Sequence, residues 1–133
     1  DLPALSGDDT DGHIDTLLRF VQTNEIVFDE SLLTHRSFES ALQIFDHNHF
    51  QCHSLPTVDL NPFPASYANF YFAAPDLILM PSWGLKTDQQ AQAIVAEIFK
   101  GTVIGCPANT LIKQFGSWHC YALNIYQKEF FYA

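Results

Sequence analysis

The chain has 133 residues, and its six Lys and Arg against fifteen Asp and Glu give a formal charge of −9 at pH 7. This length suits a single domain over residues 1–133, and a hydrophobic fraction of 47% excludes a disordered chain. So acidic a chain argues against a nucleic-acid partner and suits a cationic substrate, although an ordinary acidic surface explains the charge equally well.

Cysteine usage and the lack of a long apolar run bear on location. The sequence contains no run of about 18 uninterrupted apolar residues, so we expect neither a membrane span nor a membrane partner. Cys52, Cys106 and Cys120 are odd in number and irregularly spaced, which argues against a disulfide framework and favours a reducing, cytoplasmic location. Because the chain starts at Asp1 and its only Met is Met80, we expect a processed product or a fragment.

The first half of the chain predicts a hairpin, a helix and a strand. After an irregular lead, alternating residues 13–21 predict a strand, and Glu25–Phe28 predict its return strand. A helical pattern begins at Ser37. Residues 50–55 predict a third strand, which ends at a proline-rich loop.

The second half repeats this order. Residues 67–72 predict a strand, and the nearly all-apolar Leu77–Met80 predict its buried return strand. Thr87-Asp88 predicts the start of a helix, and residues 102–106 predict a short strand. A further strand is predicted from His119 to Tyr126.

The repeat has a period of about 50 residues, which is typical of propeller-like arrays. The predicted fold class is therefore α/β, a partial α/β propeller of hairpin–helix–strand units. In such an array the starts of equivalent strands converge on an axis, which would bring His13 and Cys120 together. A two-layer α/β sandwich would produce similar patterns and stays open as the alternative.

Two stretches combine chemically active side chains. Gly7-Asp8-Asp9-Thr10-Asp11-Gly12-His13-Ile14-Asp15 holds four carboxylates and one imidazole. If His13 opens a strand, the two-residue period places the His13 and Asp15 side chains on one face. Gly116-Ser117-Trp118-His119-Cys120 offers a thiol near the other end of the chain.

Each of these residues also has a plainer interpretation. Alone, His13 suits a surface position, Asp15 a turn or cap, and Cys120 a small buried apolar residue. Cys106 is interpreted as such a buried residue. His119 should point to the opposite strand face from Cys120, so we assign it no chemistry.

Two other clusters are interpreted as structural. His47, His49, Cys52 and His53 place four soft-metal ligands within seven residues, but a zinc site usually needs two separated ligand pairs. We expect a polar connection there and no metal site. The aromatic run Tyr67–Phe72 could stack bases, yet the low basic charge favours a hairpin core.

Three motifs together resemble the agmatine deiminase and bacterial-type peptidylarginine deiminase family of guanidine-modifying enzymes. They are Asp9–Thr16, Phe63–Tyr71 and Gly116–Cys120. The resemblance implies a pentein-like propeller of five units. This chain would be its carboxy-terminal part, about two repeat units plus a closing strand. The missing amino-terminal units would include a second acidic residue that binds the guanidinium.

The resemblance also implies roles for individual residues. Cys120 would be the catalytic nucleophile, His13 the catalytic general acid and base, and Asp15 the carboxylate that holds the guanidinium. Separately from the resemblance, we predict Asp11, Gly116 and Trp118 as further substrate-binding residues. The family's loop is often Gly-Gly-Gly-Asn-Ile-His-Cys, whereas this chain has Gln-Phe-Gly-Ser-Trp-His-Cys, a departure that bears on substrate positioning.

The implied reaction needs no cofactor or metal. Agmatine would be hydrolysed to N-carbamoylputrescine and ammonia through a thiouronium on Cys120, a step of putrescine and polyamine biosynthesis. Peptidyl-arginine is the nearest alternative substrate. An inactive fragment with an association role is the second hypothesis, and homo-oligomerisation is left open. A Cys-His-Asp acyl hydrolase is the third, although His and Asp so far upstream of Cys do not suit common cysteine proteases.

Overall fold

The computed structural model describes residues 4–5, 7–8 and 12–124. Within these ranges the chain forms two hairpin–helix–strand units, each with a three-stranded mixed sheet. The predicted α/β class is thus confirmed, while the partial propeller remains a prediction. No helix in the described ranges is both long enough and apolar enough to cross a membrane.

The first unit contains three strands in the order β1-β2-β3, with β1 antiparallel and β3 parallel to β2. A parallel return requires a crossover, and a 3-10 turn at Glu30–Thr34 followed by a helix supplies it. The elements are α1 (Ile14–Leu17), β1 (Leu18–Gln22), β2 (Glu25–Asp29), α2 (Arg36–His47) and β3 (Gln51–Leu55).

The second unit repeats this topology, with strand order β4-β5-β6. β4 is antiparallel and β6 parallel to β5, as in the first unit. A short 3-10 turn at Leu111–Gln114 follows. The elements are β4 (Tyr71–Ala74), β5 (Leu77–Ser82), α3 (Thr87–Phe99) and β6 (Thr102–Pro107).

The apolar stripe of α3 faces the core. Ala91, Val95 and Phe99 recur at helical spacing and are all buried. The helix ends at Lys100, which adopts the left-handed conformation with φ 57°. Gly101 follows; a Cβ there would lie 2.6 Å from the Phe99 ring and 2.8 Å from the Asp76 carbonyl oxygen, so the close approach requires glycine.

Apolar side chains form two clusters. The main cluster joins both units and contains residues such as Val27, Leu55, Ile78 and Val95. The small cluster lies under α2 and belongs to the first unit. Its buried members are Leu5, Leu17, Leu18, Ile26, Phe28, Leu32 and Phe38.

Three expectations about the strands were wrong. His13 does not open a strand; it is the N-cap residue of α1, and Asp15 lies in the first turn of that helix. The two side chains therefore do not share a strand face. Residues 67–70 form a buried irregular run, and β4 starts only at Tyr71. The strand expected from His119 does not form over residues 119–124, where a turn ends at Tyr121, and its last two residues lie outside the described ranges.

Candidate active site

Helix α1 places the Asp15 carboxylate at the start of the first unit. The His13 carbonyl oxygen accepts hydrogen bonds from the Thr16 backbone N–H at 3.1 Å and from Thr16 Oγ1 at 2.8 Å, which closes this short turn. Thr16 and Leu17 are buried and anchor the turn in the fold. Asp15, on the open side of the turn, is thereby fixed before β1 begins.

Asn69 lies in the buried irregular run that precedes β4. Its residue exposure is 2%, so each of its polar atoms requires a partner. Asn69 Nδ2 donates to Asp15 Oδ2 at 3.1 Å and lies 3.1 Å from Cys120 Sγ. Asn69 Oδ1 accepts from the Ser117 backbone N–H at 3.2 Å and from Ser117 Oγ at 2.8 Å. One side chain therefore connects all three sequence motifs.

Cys120 is held in a turn that is bonded to the same run. The His119 N–H donates to the Asn69 carbonyl oxygen at 3.3 Å, and the Tyr121 N–H donates to the Ser117 carbonyl oxygen at 3.2 Å. Gly116 lies directly against the thiol, since a Cβ there would be 2.8 Å from Cys120 Cβ and 3.2 Å from Sγ. A side chain at this position would displace the thiol.

Asp15 Oδ2 is the centre of the cluster. It accepts hydrogen bonds from His119 Nδ1 at 2.6 Å, from Asn69 Nδ2 at 3.1 Å and from Cys120 Sγ at 3.4 Å. The Asp15 side chain is 15% exposed and the His119 side chain 39% exposed. The carboxylate is thus covered by protein, while the imidazole reaches the surface.

The Asp15 carboxyl is stabilised in its charged form. Burial alone would raise its pKa, but hydrogen bonds from His119 and Cys120, together with the positive charges of His119 and Arg19, lower it below its usual value. Arg19 is itself fixed, because Nη1 donates to the Phe70 carbonyl oxygen at 3.1 Å and the guanidinium lies 5.1 Å from the Phe70 ring centroid. A carboxyl group with a lowered pKa therefore lies beside Cys120.

The Cys120 thiol is held in its neutral form. Burial raises its pKa most, and the Asp15 carboxylate raises it further. Hydrogen bonds from the Ser117 N–H and from Asn69 act in the opposite direction without cancelling the rise. Because the thiolate is the nucleophilic form, a positive charge placed near Cys120 would favour its reactive state.

The predicted site residues are only partly brought together. Asp15 and Cys120 meet at hydrogen-bonding distance. His13 is exposed, and its ring makes no hydrogen bond with the described part of the chain. Trp118 packs against the main cluster, and its Nε1 donates to the Cys106 carbonyl oxygen at 3.1 Å. Asp11 lies outside the described residues.

Two residues of the cluster were missed. His119 was set aside because strand alternation would point it away from Cys120, but a turn has no such alternation, and both side chains reach Asp15. Asn69 was missed because it lies in the aromatic run Tyr67–Phe72, which was interpreted as a strand of a hairpin. A polar amide within an otherwise buried apolar run was the available signal, because such an amide must find partners.

A cavity of about 910 Å³ lies away from this cluster. It lies between the β1–β2 turn, the start of β3 and the end of α3. His53 Nε2 and Glu25 Oε2 form a 2.7 Å pair on its wall, and Cys52 lies beside them. The described residues contain no group of three His, Cys, Asp or Glu side chains placed to hold a metal.

Comparison with known proteins identifies relatives over nearly the whole chain. Residues 2–125 match the family model of the Porphyromonas-type peptidyl-arginine deiminases. No curated protein matches the chain. A Porphyromonas gingivalis structure provisionally named arginine deiminase is 36% identical, with a TM-score of 0.71, and the match covers 88% of this chain and 39% of that one.

Two further structures extend this comparison. A protein provisionally named peptidyl-arginine deiminase is 33% identical, with a TM-score of 0.77 and coverage of 92% of this chain and 41% of that one. A C. jejuni agmatine deiminase is 28% identical, with a TM-score of 0.70 and coverage of 87% and 38%. This chain thus spans about two fifths of the length of these relatives.

Proposed function

The chain belongs to the Porphyromonas-type peptidyl-arginine deiminase family, and from that premise we propose that it is part of a hydrolase that deiminates a guanidinium group. The observation that supports this most is the convergence of Asp15, Asn69, His119 and Cys120 at hydrogen-bonding distance. A carboxylate beside a thiol provides an anchor for a planar cation and a nucleophile for its carbon.

The charge balance of the site suits a cationic substrate. Asp15 is negative and would hold the guanidinium, while Cys120 is a neutral thiol in the free site. A bound guanidinium would offset the Asp15 charge and lower the pKa of Cys120, so the thiolate would form when substrate is present.

The proposed reaction has two halves. The Cys120 thiolate attacks the central carbon and forms an S–C bond, an acid protonates the departing nitrogen, and ammonia leaves with the C–N bonding pair. A thiouronium then remains on Cys120. Water attacks the same carbon, loses a proton to a base, and releases the ureido product and the thiolate. His13 keeps the acid and base role that the resemblance implies, whereas His119 is placed to hold Asp15.

We propose agmatine as the substrate, giving N-carbamoylputrescine and ammonia within putrescine biosynthesis. The C. jejuni relative, an agmatine deiminase, supports this choice. The family model names peptidyl-arginine instead, which supports the alternative substrate. Both substrates share the guanidinium and differ in the group at the far end of the alkyl chain. A cytoplasmic location remains part of the proposal and rests on cysteine usage.

The isolated 133 residues are proposed to turn over weakly or not at all. Their relatives are more than twice as long, and a second guanidinium carboxylate would lie in the missing units. Ile14, Phe20 and Ile44 are at least half exposed, and such apolar surface would also favour self-association. The whole protein is proposed to be a larger propeller deiminase.

Ammonia release tests this proposal. Agmatine, free arginine and an arginine peptide are offered to this chain and to a longer protein that contains it, each with and without Cys120→Ala. We expect the longer protein to release ammonia from agmatine and to lose at least about 1,000-fold in kcat on Cys120→Ala. Release from the peptide alone would establish the alternative substrate. No release from any of the three would contradict the deiminase function, and peptide-bond cleavage in its place would favour the acyl hydrolase.

A further inference from the structure

The side chain of Asn69 contacts both reactive groups at once. Nδ2 lies 3.1 Å from Cys120 Sγ, 3.1 Å from Asp15 Oδ2 and 3.3 Å from the Asp15 carbonyl oxygen. We propose that Asn69 is a positioning residue of this site, whose amide holds the Cys120 sulfur against Asp15 and hydrogen-bonds the thiolate that Cys120 must form. This inference rests on the proposed function only in taking Cys120 as the nucleophile.

The orientation of the amide follows from its partners. A backbone N–H can only donate, and the Ser117 N–H lies 3.2 Å from Asn69 Oδ1. Ser117 Oγ donates to the same oxygen at 2.8 Å, and Ser117 is itself buried. Oδ1 is therefore directed at Ser117, and the NH₂ group must face Asp15 and Cys120. Since Asp15 accepts only, the reversed amide would leave it without this donor.

The Asn69 amide opposes the effects that raise the pKa of the Cys120 thiol. Burial and the Asp15 carboxylate raise the pKa of Cys120, and the Asn69 hydrogen bond lowers it. The charged and titratable groups around the thiol are Asp15, His119 and Arg19. Among the described residues, Asn69 is the side chain that donates to Sγ. Removing this donor should therefore make the thiolate harder to form.

Asn69→Asp is the sharpest substitution. It keeps the shape of the side chain and an acceptor for Ser117, and it replaces the NH₂ group by an acceptor oxygen. That oxygen would face Asp15 Oδ2 and Cys120 Sγ at about the present 3.1 Å, where like charges oppose ionisation of the thiol. Asn109→Asp is the matched control, because Asn109 is exposed and its side chain bonds, among residues 4–5, 7–8 and 12–124, only the Trp83 carbonyl oxygen, at 3.4 Å.

The readout is the pH dependence of Cys120 alkylation by iodoacetamide, followed on its own peptide by mass spectrometry so that Cys52 and Cys106 do not interfere. We expect Asn69→Asp to raise the midpoint by about one pH unit or more, which slows alkylation below the midpoint about tenfold. Asn109→Asp should leave it unchanged. A folded Asn69→Asp variant with the midpoint of the unsubstituted chain would overturn the proposal.

A measurement on the unsubstituted chain covers the case in which Asn69→Asp does not fold. With ¹⁵N-labelled asparagine, the Asn69 side-chain resonance should shift with pH at the midpoint of Cys120 alkylation, and this shift should vanish in Cys120→Ser. An Asn69 side-chain resonance that does not shift at the midpoint of Cys120 alkylation would overturn the proposal. Neither readout needs a guanidine substrate, so a failure of the deiminase proposal would appear separately, as missing ammonia.

Discussion

The two units share one topology and differ in how many side chains of their helix are buried. In both, an antiparallel hairpin leads through a helix to a parallel third strand. Helix α2 buries only Phe38 among its described residues and leaves Ile44 62% exposed, whereas α3 buries Asp88, Ala91, Val95 and Phe99. The repeated residue pattern therefore determines the connections, and the neighbours available to each unit determine its burial.

The neighbour of α3 is the first unit itself. The β1–β2 hairpin reaches the end of α3, where Gln22 Nε2 donates to the Phe99 carbonyl oxygen at 2.9 Å. Val21 and Val27 of that hairpin belong to the main cluster together with Val95. Helix α2 has only the small cluster beneath it. The second unit should accordingly contribute more to the free energy of unfolding.

Matched isoleucines test this difference most strongly. Ile26 and Ile78 each occupy the second position of the middle strand of their unit, and they are 1% and 0% exposed. Both Ile→Ala changes delete buried methyl groups and leave a cavity, and we expect costs of about 2–5 kcal/mol, with Ile78→Ala at the upper end. Urea denaturation gives the two values. A larger loss for Ile26→Ala would reverse the ranking of the units.

The substitution Asp88→Asn is expected to give the next largest change in the free energy of unfolding. Its carboxylate accepts from the Tyr67 hydroxyl at 2.6 Å and from the Trp83, Gly84 and Leu85 N–H groups at 2.8–3.1 Å. Burial would raise its pKa, but these hydrogen bonds lower it. Asp88→Asn should cost about 2–3 kcal/mol at pH 7, since hydrogen bonds to a charged acceptor are lost.

The pH dependence of Asp88 has a definite sign. A carboxyl whose pKa is lowered by folding contributes stability above its usual pKa, and this contribution is lost as the pH falls through the folded value. The difference between the unsubstituted chain and Asp88→Asn should therefore shrink below about pH 4. Urea denaturation at several pH values measures it, and a difference that stays constant into acid would contradict this account.

Asp29, the last residue of β2, should show a pH dependence of the opposite sign and the smallest effect on stability. Its Oδ1 accepts from the Ser31 backbone N–H and from the Ser31 and Thr57 hydroxyls, whereas its buried Oδ2 has no hydrogen-bond partner among the described residues. Burial is the largest cause of its raised pKa, with Glu30 adding to it. The folded state therefore favours the neutral acid.

Asp29→Asn consequently removes a buried charge at pH 7 and should stabilise the chain by up to about 1 kcal/mol. The stability contributed by the neutral acid is lost as the pH rises from the usual Asp pKa through the folded value, so the gain of the variant should fade as the pH falls toward the usual Asp pKa and should be absent below about pH 4. Urea denaturation of Asp29→Asn and Asp88→Asn under the same conditions compares the two effects directly. A loss of stability for Asp29→Asn at pH 7 as large as that for Asp88→Asn would remove the contrast between the units.

Many of the helices and strands could be predicted from the sequence, because they are long enough for their apolar residues to show a period. Helix α3 has thirteen residues, enough for its apolar stripe to show the helical period, and turn residues separate the paired strands of each hairpin. Helix α1 has four residues, too few for a 3.6-residue period to differ from alternation. His13 and Asp15 were for that reason placed on a strand that begins only at Leu18.

The site was predictable where the chemistry of a residue was visible by itself. Asp15 and Cys120 stood out as a carboxylate and a thiol within distinct motifs, and they meet. Asn69 and His119 gain their meaning from contacts across 54 and 104 positions of sequence. No local pattern encodes such contacts, since they depend on how the irregular runs before β4 and after β6 fold over each other.

The central claim is that Asp15 and Cys120 form one site for a cationic planar group, and labelling of Cys120 tests it on this chain directly. Chloroacetamidine and chloroacetamide offer the same carbon and leaving group, one on a cation and one on a neutral amide. We predict that the cationic reagent alkylates Cys120 at least about tenfold faster, and that Asp15→Asn removes most of this preference, because the carboxylate that attracts the cation is gone. Equal rates for the two reagents, or a preference that survives Asp15→Asn, would contradict the account.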